Sequence, residues 1–427
     1  MKIRSITIGE NFPFFKKANN IRKDLETKYR KFSNACNDLT DQFQKHNLTV
    51  ETKRICTQPV LSTKNKSWNI NQKLNENISI FEQQIELLEN VCGNTNFDYF
   101  SCCLMLADEN MDIELLNEFI TEKIPTVLTK SNNFFTSIQV ASTQRGINLT
   151  ALKYCSKIIK RISEEPFNNL KFCVSSNVKP DTPFFPSAYH SSDHPKFSIA
   201  LEMADEVVQV FENSLTLFDA QKNLKARFLE IYDLIVKISQ DIGKKYGIEF
   251  HGIDFSPAPY PTKEQSIGTA VEKLNHENFG ALGSLIAVAM IKNCIPKKEK
   301  VIGFSGFMQP VFEDYTIAKR LSENKISIET LLLYSTICGT GLDCVPLPGD
   351  ITERELFYLL LDLCIISITH DKPLTARLMP IPGKSAGEDI KFDFEYFAPS
   401  KVMDIKRLST TKTNDLFYRD EKSFNLI

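Results

Sequence analysis

The feature that most constrains the fold is an alternation that runs along nearly the whole chain. Short runs rich in Val, Ile, Phe and Thr are each followed by a longer stretch with apolar residues at helical spacing. The strand-like runs are IRSITI (3–8), TVETKRICTQPV (49–60), FSCCLMLA (100–107), FFTSIQVA (134–141), LKFCVSS (170–176), FHGIDFS (250–256), KVIGFSG (300–306) and TARLMPI (375–381). Helical patterns occupy 19–45, 79–90, 112–123, 149–163, 221–246, 264–274, 281–293, 315–322, 327–337 and 352–369. Parallel strands need crossover helices, so this order predicts a largely parallel α/β architecture. Eight to ten strands suit a barrel or a wide doubly wound sheet, and periodicity does not separate the two.

Composition matters where it removes classes of function. A formal charge of -2 over 427 residues gives no global attraction to nucleic acid or to an anionic membrane. The longest apolar run, LFYLLLDLCIISI, is broken by Asp362 and is too short to span a bilayer. The opening residues read as a strand, not as a secretion signal. These features predict a cytoplasmic protein with no membrane and no nucleic-acid partner. Eleven irregularly spaced cysteines are then expected as reduced thiols. In SCC (101–103), adjacent strand residues point to opposite faces, so Cys102 and Cys103 cannot share one zinc ion.

Four Gly/Pro-rich clusters hold groups able to do chemistry. Residues 179–202 carry His190, which suits an acid, base or proton shuttle, or a hydrogen-bonded histidine under a packed cover. Residues 251–272 place Asp254 and Ser256 at a strand end and let Ser266 and Gly268 open a helix. Free amides there would seat an anion, although the glycine density of a P-loop is absent. Residues 301–318 hold Ser305 and Gly306 in a flexible turn before Glu313 and Asp314. This acidic pair suits a divalent cation, a base or simple helix capping. The fourth cluster joins CGTGLDCVPLPGD (338–350), with Cys338, Asp343, Cys344 and Asp350, to KPLTARLMPIPGK (372–384), with Lys372, Arg377 and Lys384. The first stretch reads as a glycine-shaped loop at a sheet end, and the second as a clamp for a carboxylate or phosphate.

FFPSAYH (184–190), FSIALE (197–202), GIDFSPAP (252–259), GFSGFMQPVFED (303–314) and the two segments of the fourth cluster resemble the uncharacterised family known as domain of unknown function seven-eleven, also called uncharacterised protein family two-ten. With IRSITIG and TKRICTQP (52–59), the resemblance covers nearly the whole chain. It implies a ten-stranded α/β barrel similar to pyruvate formate-lyase, made of two parallel five-stranded halves with helices outside. One barrel domain over 1–405 and a C-terminal tail over 406–427 follow from it. Glycyl-radical enzymes of that fold pair a radical glycine with a cysteine, and Gly306-Phe307 with Cys338 is similar. The arginine usual before such a glycine is missing from Gly303-Phe304-Ser305, and the motif lies far from the C-terminus.

The expected function is a non-radical lyase, hydrolase or transferase acting on a small anionic metabolite. Cys338, Asp343, Glu313, Asp314 and His190 are its candidate catalytic groups. Asp254, Ser256, Ser305, Gly306, Asp350, Lys372, Arg377 and Lys384 are candidate ligand contacts. The cofactor is left open, a divalent metal being compatible with the acids, as is a homo-oligomer. The alternative is a regulatory protein that binds a metabolite without turnover.

Overall fold

The computed structural model describes residues 1–15, 21–61, 74–106, 113, 116–337, 339–409 and 415–418. Most of the polar stretch expected as a surface excursion (62–76), most of the tail (406–427) and Cys338 lie outside these residues. Eleven strands form one sheet: β1 (Lys2–Gly9), β2 (Val50–Thr57), β3 (Tyr99–Leu106), β4 (Phe134–Ser142), β5 (Gly146–Ile147), β6 (Phe172–Ser176), β7 (Lys196–Glu202), β8 (Glu249–Ala258), β9 (Val301–Ile302), β10 (Gly341–Pro348) and β11 (Leu374–Ile381). The order is β10-β11-β6-β4-β3-β2-β1-β7-β8-β9, with the short β5 on β4.

Strands β1, β2, β3, β4 and β6 are mutually parallel, and the others on this path run against them at two seams, β1/β7 and β6/β11. The ring expected of a closed ten-stranded barrel stays open between β9 and β10. Strand β9 stops after two residues because Gly303, at φ +69°, turns the chain toward Asp254. Strand β10 meets Pro310 instead, in a parallel bridge at Asp343, and accepts the Met403 amide at its Pro346 carbonyl. Three strands were unforeseen, the two-residue β5 among them. Residues 341–348, expected as a loop, form β10, whose Pro346 and Pro348 are tolerated because an edge strand need not donate on both sides. Residues 196–202 form β7, next to β1.

Alternation along the strands sets up two faces. On one, Ile6, Ile8, Ile55, Phe100, Leu104, Phe134 and Ile138 join the main core. Helices such as Ile21–Gln44, Leu149–Ile162, Leu217–Tyr246 and Glu353–Thr369 supply the other half of that core. On the other face stand Arg4, Arg54, Tyr99 and Phe135, with Cys56 and Cys103 in small separate clusters. Inserted loops cover this inner face. Residues 181–190 reach β1 through Thr7 Oγ1, which donates to the Pro183 carbonyl, and β3 through Ser101 Oγ, which donates to that of Pro186. Residues 303–313 enter from the other set of strands, and the loops meet where Phe184 packs edge-on to Phe304 at 4.9 Å. The ten described cysteines are free thiols and buried. Among the described residues no helix is long and apolar enough to cross a membrane.

Candidate functional site

Between the inner face and its covering loops lies a cavity of about 170 Å³. It opens at the N-terminal ends of β1 to β4, and so at the C-terminal ends of the opposed strands β7 and β8. Register brings its groups together. Arg54 sits across from Thr7 on one side and Tyr99 on the other, and Thr52, two residues earlier, shares its face.

Three of the cavity's four cations meet carboxylates, drawn from four segments. Arg4 donates to Glu202 Oε2 at 2.7 Å and to Glu313 Oε2 at 2.9 Å. Lys2 reaches Glu51 at 2.9 Å and Glu202 at 3.1 Å. Arg377 grips Asp343 through two nitrogens and gives a third bond, 3.0 Å long, to Glu313 Oε1. The fourth cation, Arg54, differs. Its Nε donates to Thr52 Oγ1 at 2.8 Å, its guanidinium lies 5.1 Å from the Phe185 ring centroid and 5.9 Å from that of Tyr99, and no carboxylate of the described residues lies within ion-pair distance. Burial, with Arg4 and Arg377 nearby, lowers its pKa to about 10.

A bulge shapes the other wall. The β10/β11 register slips between Leu342 and Val345, and Cys344 takes φ +49° there. Asp343 is thereby held on Arg377 with no exposure, while Cys344 Sγ donates to Glu313 Oε1 at 3.2 Å. Burial drives the Cys344 thiol well above its ordinary value, so it is a thiol and not a thiolate nucleophile. Burial also works against the charge of Glu313, but Arg377 and Arg4 outweigh it and hold the carboxylate below its usual pKa. Aromatic residues Phe394, Tyr396 and Phe397 cover the cavity, with Arg4 over the Tyr396 ring at 5.6 Å.

The structure thus gathers Glu313, Arg377, Asp254 and Ser256 at the cavity wall, with Asp343 behind Arg377. Asp254 is an anchor: it accepts from the amides of Ser256, Phe304 and Ser305 and from Ser256 Oγ, although burial raises its pKa. Gly306 N donates to Ser256 Oγ, and Ser305 Oγ to the Ile302 carbonyl, so this turn serves to brace the strand end. The remaining candidates lie elsewhere. Asp314 caps two helices at once, taking bonds from Ser266 Oγ, Ile267 N and Ile317 N, so it fills the anion seat expected at Ser266 and Gly268. His190 is fully buried with Nδ1 on Asp181, behind Gly9, and does not line the cavity. Asp350 is exposed and paired with Arg407, Lys384 faces Glu388, and Lys372 donates to the Ser335 carbonyl. Among the described residues no three His, Cys, Asp or Glu side chains are arranged to hold a metal ion.

Sequence reasoning missed Arg4, Glu51, Arg54, Tyr99 and Glu202. The available signal was charge inside strand-like runs, three cationic groups (Arg4, Lys53, Arg54) and one acidic (Glu51) in IRSITI and TVETKRICTQPV, where an inner face otherwise wants apolar residues.

Fold and cavity together define a mixed α/β protein with a charge-paired, aromatic-covered interior site. Comparison with known proteins makes the assignment specific: the chain belongs to the family described as Uncharacterised ACR (DUF711), whose model matches residues 1–400. The UPF0210 protein of Methanocaldococcus jannaschii is 24% identical over 435 residues, 96% of this chain and 92% of its own. That of Pyrobaculum aerophilum is 29% identical over 315 residues, 71% of this chain and 69% of its own. That of Oenococcus oeni is 30% identical over 288 residues, 64% of each chain.

Proposed function

We propose that the chain binds a small organic anion in the interior cavity, with Arg54 as counter-charge and Tyr99, Phe135 and Phe185 against its apolar body. One observation carries this reading: Arg54 faces the cavity with no carboxylate of the described residues within ion-pair distance, whereas Arg4 has three and Arg377 two. A half-buried guanidinium whose charge is disfavoured gains from any anion delivered to it. A cavity of about 150 Å³ accommodates benzene, so 170 Å³ suits a compact carboxylate of about that bulk.

A catalytic reading is favoured by Glu313. It lines the cavity, is kept ionised at neutral pH, and can accept a proton from a bound ligand while Arg4, Arg377 and Cys344 hold it in place. The likeness to a pyruvate formate-lyase barrel is supported by the two opposed parallel sets and by the Pro310–Asp343 bridge beside the open seam. The test is retention of small molecules from a cell extract, read by negative-ion mass spectrometry. An anion retained by the wild type and lost from Arg54→Met supports binding, and equal retention refutes it. Conversion of that anion by the wild type, with Glu313→Gln binding but not converting it, separates enzyme from regulator.

A further inference from the structure

A second cavity, of about 280 Å³, opens at the opposite end of the same parallel strands. Leu106 ends β3 there, Gln139 and Ser142 lie at the end of β4, and Asn177 and Lys179 follow β6. This is the C-terminal strand end, where α/β sheets gather ligands. The β4 register slips just beyond Gln139, a bulge of the kind that re-aims side chains beside sites.

Its polar atoms divide into two groups. Asn177 is spent on structure, its Oδ1 accepting from Thr143 N at 2.8 Å and its Nδ2 donating to the Ser367 carbonyl. Tyr189 is likewise engaged, its hydroxyl donating to the Val178 carbonyl. Gln139 Oε1 and Ser142 Oγ, by contrast, are buried without any hydrogen-bond partner among the described residues, on residues only 5% and 9% exposed. A buried acceptor left unmade is costly, so it calls for a donor from outside the chain. Lys179 stands on the same wall with no carboxylate within ion-pair distance among the described residues, and Asp371 is the one acid among the described lining residues.

We propose that this cavity is a second ligand site, for a small carboxylate that carries an adjacent hydrogen-bond donor: a hydroxy acid or an amino acid. The carboxylate faces Lys179, and the hydroxyl or ammonium donates to Gln139 Oε1 beside Ser142 Oγ. The site is independent of Arg54, at the other end of the strands.

The test is titration calorimetry of the full chain carrying Arg54→Met, which removes the inner seat, with three probes of one shape, L-lactate, L-alanine and propionate. Saturable binding of lactate or alanine and none of propionate is expected, and which of the two binds identifies the class. In that background Lys179→Ala, an exposed change, weakens binding about tenfold, and Gln139→Leu abolishes it without lowering the melting temperature. The proposal is overturned if no probe saturates at millimolar concentration, if propionate binds as well as the others, or if neither Lys179→Ala nor Gln139→Leu changes the affinity.

Discussion

Replacing Arg54 by Met tests whether the inner cavity is a seat waiting for charge. The guanidinium is disfavoured by burial, Arg4 and Arg377, which bring its pKa down to about 10 from an ordinary value above 12. Such a fall corresponds to a penalty of about 3 kcal/mol on the charged form. The sign follows from linkage: the unfolded chain holds this proton more tightly, so the penalty applies at every pH below about 10 and fades only as pH rises beyond it. Against it stand the bond to Thr52 Oγ1 and the contacts with the Phe185 and Tyr99 rings, together about 1–2 kcal/mol. Methionine keeps the stem's packing and removes the charge. Ligand-free Arg54→Met is therefore expected to be more stable by about 1–2 kcal/mol. With an unfolding entropy near 0.9 kcal/mol/K for 427 residues, the melting temperature rises by about 1–2 °C. Calorimetric unfolding in anion-free buffer measures this, and adding the retained anion should reverse the order of the two proteins. A ligand-free loss of more than about 2 kcal/mol would refute the reasoning, because it would mean that the guanidinium already has an internal counter-charge.

Three other outcomes follow from the same network. Arg377→Met should destabilise by about 3–5 kcal/mol in urea, since it strands the fully buried Asp343 and leaves Glu313 with Arg4 alone; a loss under 1 kcal/mol would contradict the pairing. Glu313 has a depressed pKa, so its contribution is present above the unfolded value near 4.5 and is lost as pH falls below it. The urea midpoint should drop between pH 5 and 3 with a smaller drop in Glu313→Gln, and identical profiles would speak against it. Cys344, buried and with its thiol pKa pushed up, should escape iodoacetamide at pH 8 in the native protein and react once urea unfolds it, as peptide mass mapping would report.

Most of the fold was legible because a buried strand announces itself by β-branched and aromatic residues. Runs such as FFTSIQVA and TARLMPI lie where the pattern put them, and the helix over 315–322 has the expected bounds, with Asp314 as its cap. Strands β7 and β10 escaped notice for local reasons. The His-Pro approach to β7 and the prolines of β10 read as loop, and only the edge position of β10 makes those prolines harmless. The site was half legible. Glu313 was found in a loop after a strand and Asp254 at a strand end, where the β7–β9 set brings its groups, and Arg377 as part of the cationic run KPLTARLMPIPGK. The opposed set brings its strand starts to the same cavity, so Arg4, Glu51, Arg54 and Tyr99 lie where a search of strand ends does not look. His190 and Asp314 misled because a buried histidine and a helix-capping aspartate carry the same letters as catalytic ones.

The central claim is that the inner cavity seats an organic anion on Arg54. A crystal structure of the protein soaked with benzoate tests it most directly. The carboxylate should lie within hydrogen-bond distance of the Arg54 guanidinium and the ring among Tyr99, Phe135 and Phe185. A cavity that stays free of benzoate, with Arg54 turned onto Glu51 instead, would contradict it.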